Sequence, residues 1–402
     1  MSGYECRFTR GGAACDAVVS VEKEGLDIRP ASKGPAVFLD YADLYDYRLI
    51  NYHLFLELEK ETWELSQLGY QTEEFFEKLW LAYDARSREA LFLEGSPLIE
   101  AEGDYEYQEG QLHAKGKAKL ALYEDCLCIL PHNAGARRIP LCFAAPPVRE
   151  GFSLTIRLDT GDVYTIARLG YDTDPFFEKL AKAQAKAAKT WAEKHRELEQ
   201  ELASGPDKLL GGKKPQFEAM KALAGCASSA GKKALALLCG LFAPEKDSGE
   251  GSGPEEIPEE PDREDSEPEE IPETPAGEDA EPAGEDGEPS GKAVTPPGKR
   301  FWLSAVDNGE AAVELITEEQ SAIYLYRFQT DSVTFAAILR HAMESVGSHR
   351  ELIYLEEERL NENALYRMAV VRNRYVRYLR SCWAGRIIHS GNWEEKLKEF
   401  LR

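Results

Sequence analysis

The chain has 402 residues, 43% of them apolar, and a formal net charge of −24. That length and apolar share suffice for two or three cored domains, and no apolar run approaches the roughly 18 to 20 residues that a bilayer-spanning helix needs. Met1-Ser2-Gly3-Tyr4-Glu5-Cys6 offers neither a basic flank nor an apolar h-region, so no secretory signal is expected and the eight cysteines are expected as reduced thiols in a cytosol.

In chain order, short alternating apolar runs predict strands over residues 4–9, 14–21, 26–29, 36–41, 45–50, 52–58 and 62–68. Turn signals separate them at Gly11-Gly12, Lys23-Glu24-Gly25 and Ser32-Lys33-Gly34. At Thr72 the period becomes helical. Thr72 is placed as the N-cap, Glu73 and Glu74 fill the first turn, and Phe75, Phe76, Leu79, Trp80 and Tyr83 share one face.

The stretch Leu68-Gly69-Tyr70-Gln71-Thr72-Glu73-Glu74-Phe75-Phe76-Glu77-Lys78-Leu79 returns 101 residues later as Leu169-Gly170-Tyr171-Asp172-Thr173-Asp174-Pro175-Phe176-Phe177-Glu178-Lys179-Leu180. Solenoid units run to roughly 20 to 50 residues, so this longer period marks duplicated domains. Tyr4 pairs with Tyr105, Val19 with Leu120, Ile28 with Ile129 and Pro30 with Pro131, placing the copies at 1–99 and 100–203. In the second copy Ala, Lys, Glu and Gln carry the helix on to Leu202.

About seven short antiparallel strands closed by one C-terminal amphipathic helix resemble the pleckstrin-homology-like (PH-like) barrel, with a split ferredoxin-like α+β domain as the alternative. The resemblance implies an α+β chain with two tandem small antiparallel β-barrels, each plugged by its helix. It also implies non-catalytic binding of phosphoinositide headgroups, peptides or proteins. In lipid-binding relatives the first hairpin is basic, and here the second copy carries Lys115, Lys117 and Lys119, with Arg137 and Arg138 in a later loop. The first copy departs from that pattern, with only Arg7 and Arg10. The three alternating lysines also read as an ordinary solvated strand face.

Residues 204–242 carry Lys208, Lys213, Lys214, Lys221, Lys232 and Lys233 and end in the apolar stretch 234–242. This predicts a basic helix with an apolar tail, which either lies on an anionic membrane surface or folds back on its own domain. Residues 243–298 hold 20 Asp or Glu against Lys246, Arg263 and Lys292, with 11 prolines and 8 glycines, and account for 17 of the 24 net negative charges. Such a segment cannot bury enough apolar surface to offset its ordering entropy, and predicts a disordered tether spanning roughly 40 Å or more.

An α+β domain is expected over 299–402. Strands at 311–316 and 321–328 and a helix at 332–346 echo the closing hairpin and helix of each copy, with Ser332, Phe335, Leu339 and Ala342 taking the places of Thr72, Phe75, Leu79 and Ala82. Beyond them, Arg367, Arg372, Arg374, Arg377, Arg380 and Arg386 interleave with Tyr366, Tyr375, Tyr378 and Trp383, without an acidic residue between Leu365 and Asn392. On a helix, Met368, Val371, Tyr375, Leu379 and Cys382 form one stripe and Arg367, Arg374, Arg377 and Arg380 cover the other side. The expected partner is a protein, a second copy or the acidic tether, because the acidic balance of the chain repels nucleic acid.

No P-loop, dinucleotide fingerprint, Gly-x-Ser-x-Gly elbow or His-Glu-x-x-His occurs, and neither cofactor nor metal is expected. Cys126-Leu127-Cys128 places two thiols on one side of a strand, facing a core. The reading is a cytoplasmic binding or scaffold protein, with membrane association through 207–242 as a variant. The competing class is a hydrolase or transferase whose site lies near Arg386 and His389.

Overall fold

The computed structural model describes residues 3–31, 34–204, 238–241, 301–307, 309–316, 321–347, 349–388 and 395. The first copy consists of β1 (Tyr4–Arg10), β2 (Ala13–Val21), β3 (Gly25–Pro30), β4 (Val37–Asp40), β5 (Asp46–Ile50), β6 (His53–Glu57), β7 (Thr62–Ser66) and α1 (Thr72–Ala90). Its strands form one curled antiparallel half-barrel in the order β4-β3-β2-β1-β7-β6-β5. The second copy repeats this with β8 (Ile99–Glu109), β9 (Leu112–Leu122), β10 (Cys126–Leu130), β11 (Arg137–Pro140), β12 (Val148–Glu150), β13 (Ser153–Arg157), β14 (Val163–Ala167) and α2 (Thr173–Ser204). The order is again equivalent, β11-β10-β9-β8-β14-β13-β12.

Alternation decides which way each strand faces. In β1, Tyr4, Cys6 and Phe8 are buried while Glu5 and Arg7 face outward. Helix α1 closes the curl with Phe75, Leu79 and Tyr83, and the Phe75 ring meets Tyr4 edge-on at 5.2 Å. Phe176 and Leu180 repeat the contact in the second copy, both fully buried. Thr72 and Thr173 begin their helices as expected but do not cap them. A short 3-10 turn precedes each, and the threonine hydroxyl donates back to the carbonyl of Gly69 at 2.8 Å or of Gly170 at 2.9 Å.

The two copies share a seam. β10 is buried along its whole length because its outer face, Cys126, Cys128 and Leu130, packs with Leu91 beyond the end of α1. Burial pushes the Cys128 thiol pKa well up. Next to it, His132 stacks on Tyr47 at 5.4 Å and meets the rings of Phe76 and Trp80. The Ala134 amide donates to the carbonyl of Tyr45 at 2.7 Å, so a loop of the second copy covers part of the edge strand of the first.

The C-terminal part contains β16 (Phe301–Asp307), β17 (Glu310–Ile316), β18 (Ser321–Arg327), α3 (Ser332–Val346), α4 (Glu357–Glu362), α5 (Ala364–Arg372), α6 (Arg374–Cys382) and β19 (Trp383–Ile388). The echo holds in the packing, since Phe335, Leu339 and Ala342 are fully buried. The sheet has five strands, because β15 (Leu238–Leu241) joins it beside β16. Within the stretch read as the apolar tail of a helix, these four residues are therefore a strand. The remainder of the basic segment and residues 243–298 lie outside the described residues, as does any contact of the arginines with 245–290. Leu241 stands opposite Phe301 in the ladder, so the chain leaves and rejoins this sheet at neighbouring positions.

The Arg-rich stretch is not one helix. The Asn363 and Asn373 side chains each accept backbone amides at a helix start, which divides it into α5 and α6. From Trp383 onward it is a strand paired with β18.

Candidate functional site: a cleft between the barrels and the C-terminal helices

The basic residues prominent in the sequence are held in three different ways. Lys115, Lys117 and Lys119 stand directly opposite Glu106, Asp104 and Glu102 on β8. Each lysine therefore faces a carboxylate across the ladder, an arrangement that stabilises the sheet. Lys119 also approaches Asp84 of α1 at 3.7 Å and lies 5.0 Å above the Trp80 ring, which makes it part of the seam.

Four of the arginines tie elements together. Arg137 donates from Nε to both carboxylate oxygens of Glu109 at 3.0 Å, with side chains only 6% and 1% exposed. Glu109 also accepts the Tyr164 hydroxyl at 2.8 Å. Arg138 pairs with Asp125 at 2.6 Å and donates to the carbonyl of Ser345 at 2.8 Å, in the last turn of α3, where the helix dipole favours a cation. Burial raises the Asp125 pKa, but the Arg138 charge outweighs it and holds the carboxyl below the usual range. Arg367 pairs with Asp43 of the first copy and Arg374 with Asp162 of the second. Asp162 also accepts the Tyr375 hydroxyl at 2.6 Å.

Three further residues lie apart. Arg380 stays within the C-terminal part, donating to the Leu352 carbonyl and to Glu357, both at 2.9 Å. Arg377 is exposed on α6. Arg386 sits on β19 with its guanidinium 5.6 Å from the Tyr324 ring. His389 lies outside the described residues.

Arg137, Arg138 and Arg374, drawn from two separate groups in the sequence, line one narrow cleft of about 20 Å³ with Glu109, Tyr164, Ser345 and Asn373. The same wall contains Arg372, which the sequence reading names within the Arg-rich stretch but assigns to no site. Its Nη2 donates to the Tyr83 hydroxyl at 2.7 Å and its Nη1 to the Met368 carbonyl at 3.1 Å, while Nε has no partner. Burial draws its pKa down, Tyr83 opposes and Arg137 adds to the fall, yet a guanidinium keeps its proton at any physiological pH. One local signal marks it. Arg372 follows Met368 by four residues, which sets an arginine on the apolar stripe of the helix.

No protein-family model matches this chain. No curated protein matches it either.

Proposed function

We propose that the chain is a non-catalytic scaffold in which two PH-like barrels bind a protein partner through duplicated aromatic tips. The strand order and the closing helix of each copy support the PH-like reading. One observation carries the binding role. Tyr52 and Phe152 stand at the tips of equivalent hairpins, 69% and 73% exposed, and Tyr70 and Tyr171 stand just before the helices, essentially fully exposed. Leu54 pairs with Leu65 and Ser153 with Ala167, so in each copy both aromatic residues lie at the same end of the half-barrel.

Exposed aromatic residues add nothing to a core, whereas tyrosine is a favoured anchor at protein interfaces. Two such pairs on one particle permit bivalent capture, in which the second contact gains from effective concentration. Among the described residues no helix is long and apolar enough to cross a membrane.

The test is affinity capture from extract of the expressing cells, with the wild-type chain and with a Tyr52→Ser/Tyr70→Ser/Phe152→Ser/Tyr171→Ser variant as baits. A specific protein retained by the wild type and lost by the variant, with circular dichroism unchanged, is the expected result. Identical captured sets would refute the aromatic tips as the binding surface.

A further inference from the structure

Among the described residues, one interior cation has no anion. Arg372 is 2% exposed, its partners are a phenol and a backbone carbonyl, and among the described residues no carboxylate pairs with it. Enclosing a guanidinium without a counter-charge is strongly unfavourable. Tyr83 does not supply the charge, because burial raises its pKa above the ordinary phenol value even though Arg372 opposes the rise.

The surroundings repeat the imbalance. The cleft wall holds the guanidiniums of Arg137, Arg138, Arg372 and Arg374 against the single carboxylate of Glu109. Asp125 and Asp162 reach two of these from outside the wall, which still leaves one positive charge unmatched. Glu344 also feels Arg138, but it stands exposed on α3 and is not part of the cleft wall. Arg377, farther out on α6, adds positive charge. The Nε atoms of Arg138 and Arg372 are both buried without a hydrogen-bond acceptor.

We propose that this cleft binds a small phosphate-bearing anion, with Arg372 as its principal counter-charge. Phosphate suits the wall better than a carboxylate does, because it presents more acceptor oxygens to planar guanidinium forks. The wall combines Ala90 and Leu91 at the end of the first copy, Arg137 and Arg138 of the second, and Arg372 to Tyr375 of the C-terminal part. A bound anion therefore stabilises the association of all three by mass action. The site is separate from the lysine row on β9, whose charges are matched by β8, and it does not depend on the scaffold reading.

The experiment uses the full chain. Thermal unfolding and calorimetric titration are run with inorganic phosphate, with acetate and with chloride at equal ionic strength. Phosphate should raise Tm in a saturable way, acetate and chloride should not, and Lys117→Gln should keep the response. Arg372→Met, which fills the same volume without charge, should weaken phosphate binding about tenfold or more, the scale expected for a charged hydrogen bond. If Arg372→Met does not fold, Arg372→Lys, which keeps the charge but loses the fork, should still bind severalfold more weakly.

Sedimentation with phosphatidylcholine vesicles containing phosphatidic acid separates two sources of the same chemistry. Arg372-dependent sedimentation identifies a lipid headgroup, and phosphate binding without sedimentation identifies a free phosphate compound. A Tm equal in phosphate and chloride, an equal response to acetate, or an undiminished response in a folded Arg372 variant would overturn the proposal.

Discussion

Arg372 and Tyr83, 289 positions apart in the chain, share a buried hydrogen bond of 2.7 Å. It joins α5 of the C-terminal part to α1 of the first copy. Replacing Tyr83 with Phe removes the side-chain acceptor that, among the described residues, an interior guanidinium has, while keeping the ring in place. The expected loss is about 1–3 kcal/mol, the cost of leaving a buried donor unmet. Urea unfolding of Tyr83→Phe measures it, and a loss under about 0.5 kcal/mol would mean that water already serves Arg372 in the folded chain.

Arg374 and Asp162 provide a second tie, with the Asp162 side chain 2% exposed and the Arg374 side chain 24% exposed. Arg374→Ala strands a buried carboxylate that, among the described residues, keeps the Tyr375 hydroxyl and Thr160 as partners. Breaking a buried pair costs roughly 3–5 kcal/mol, and the partial exposure of Arg374 lowers the expectation to about 2–3 kcal/mol. In a double-mutant cycle with Asp162→Asn, the two losses should fall short of adding.

The duplication makes a paired prediction. Phe75 and Phe176 are both fully buried at matching positions of their helices. Phe75→Ala and Phe176→Ala should each cost about 3–5 kcal/mol by denaturant unfolding, as cavities at sites that cannot collapse do. Values differing by more than about 2 kcal/mol would show that one copy leans on its neighbours for stability far more than the other.

His132 gives the seam a pH dependence of definite sign. Burial lowers its pKa from the ordinary 6.5, Glu102 and Asp84 oppose the fall, and Lys119 adds to it. The unfolded chain therefore takes up this proton more readily. Stability that is fully present above about pH 6.5 is lost as pH falls through the lower folded value. His132→Phe keeps an aromatic ring against Tyr47 without titrating, so its Tm should drop less than that of the wild type between pH 8 and pH 5. Parallel Tm–pH curves would assign the dependence to other groups.

Much of the fold was legible because its signals are local. Two-residue alternation marked every strand of the first copy within about two residues, and Ser332 and Val346 were found as the ends of α3. The Thr72 cap was misread because the preceding 3-10 turn, centred on Gly69 to Gln71, offers the hydroxyl a carbonyl instead. The strand at Trp383–Ile388 was hidden behind a helical stripe that Asn373 interrupts. The double burial of Cys126-Leu127-Cys128 depends on Leu91, a neighbour that no short window contains.

The cleft was legible only in pieces. Arg137, Arg138 and Arg374 stood out as basic residues, but nothing local pairs Arg374 with Asp162 across 212 positions. Their convergence belongs to the packing of distant elements.

The ladder position of Leu241 opposite Phe301 has one further consequence. A single protease nick anywhere between them would divide the polypeptide into two fragments that still migrate together under native conditions, since the neighbouring strands hold the ends. The acidic stretch is then a place where cargo could be inserted, or new termini opened, without unthreading the sheet from which it departs.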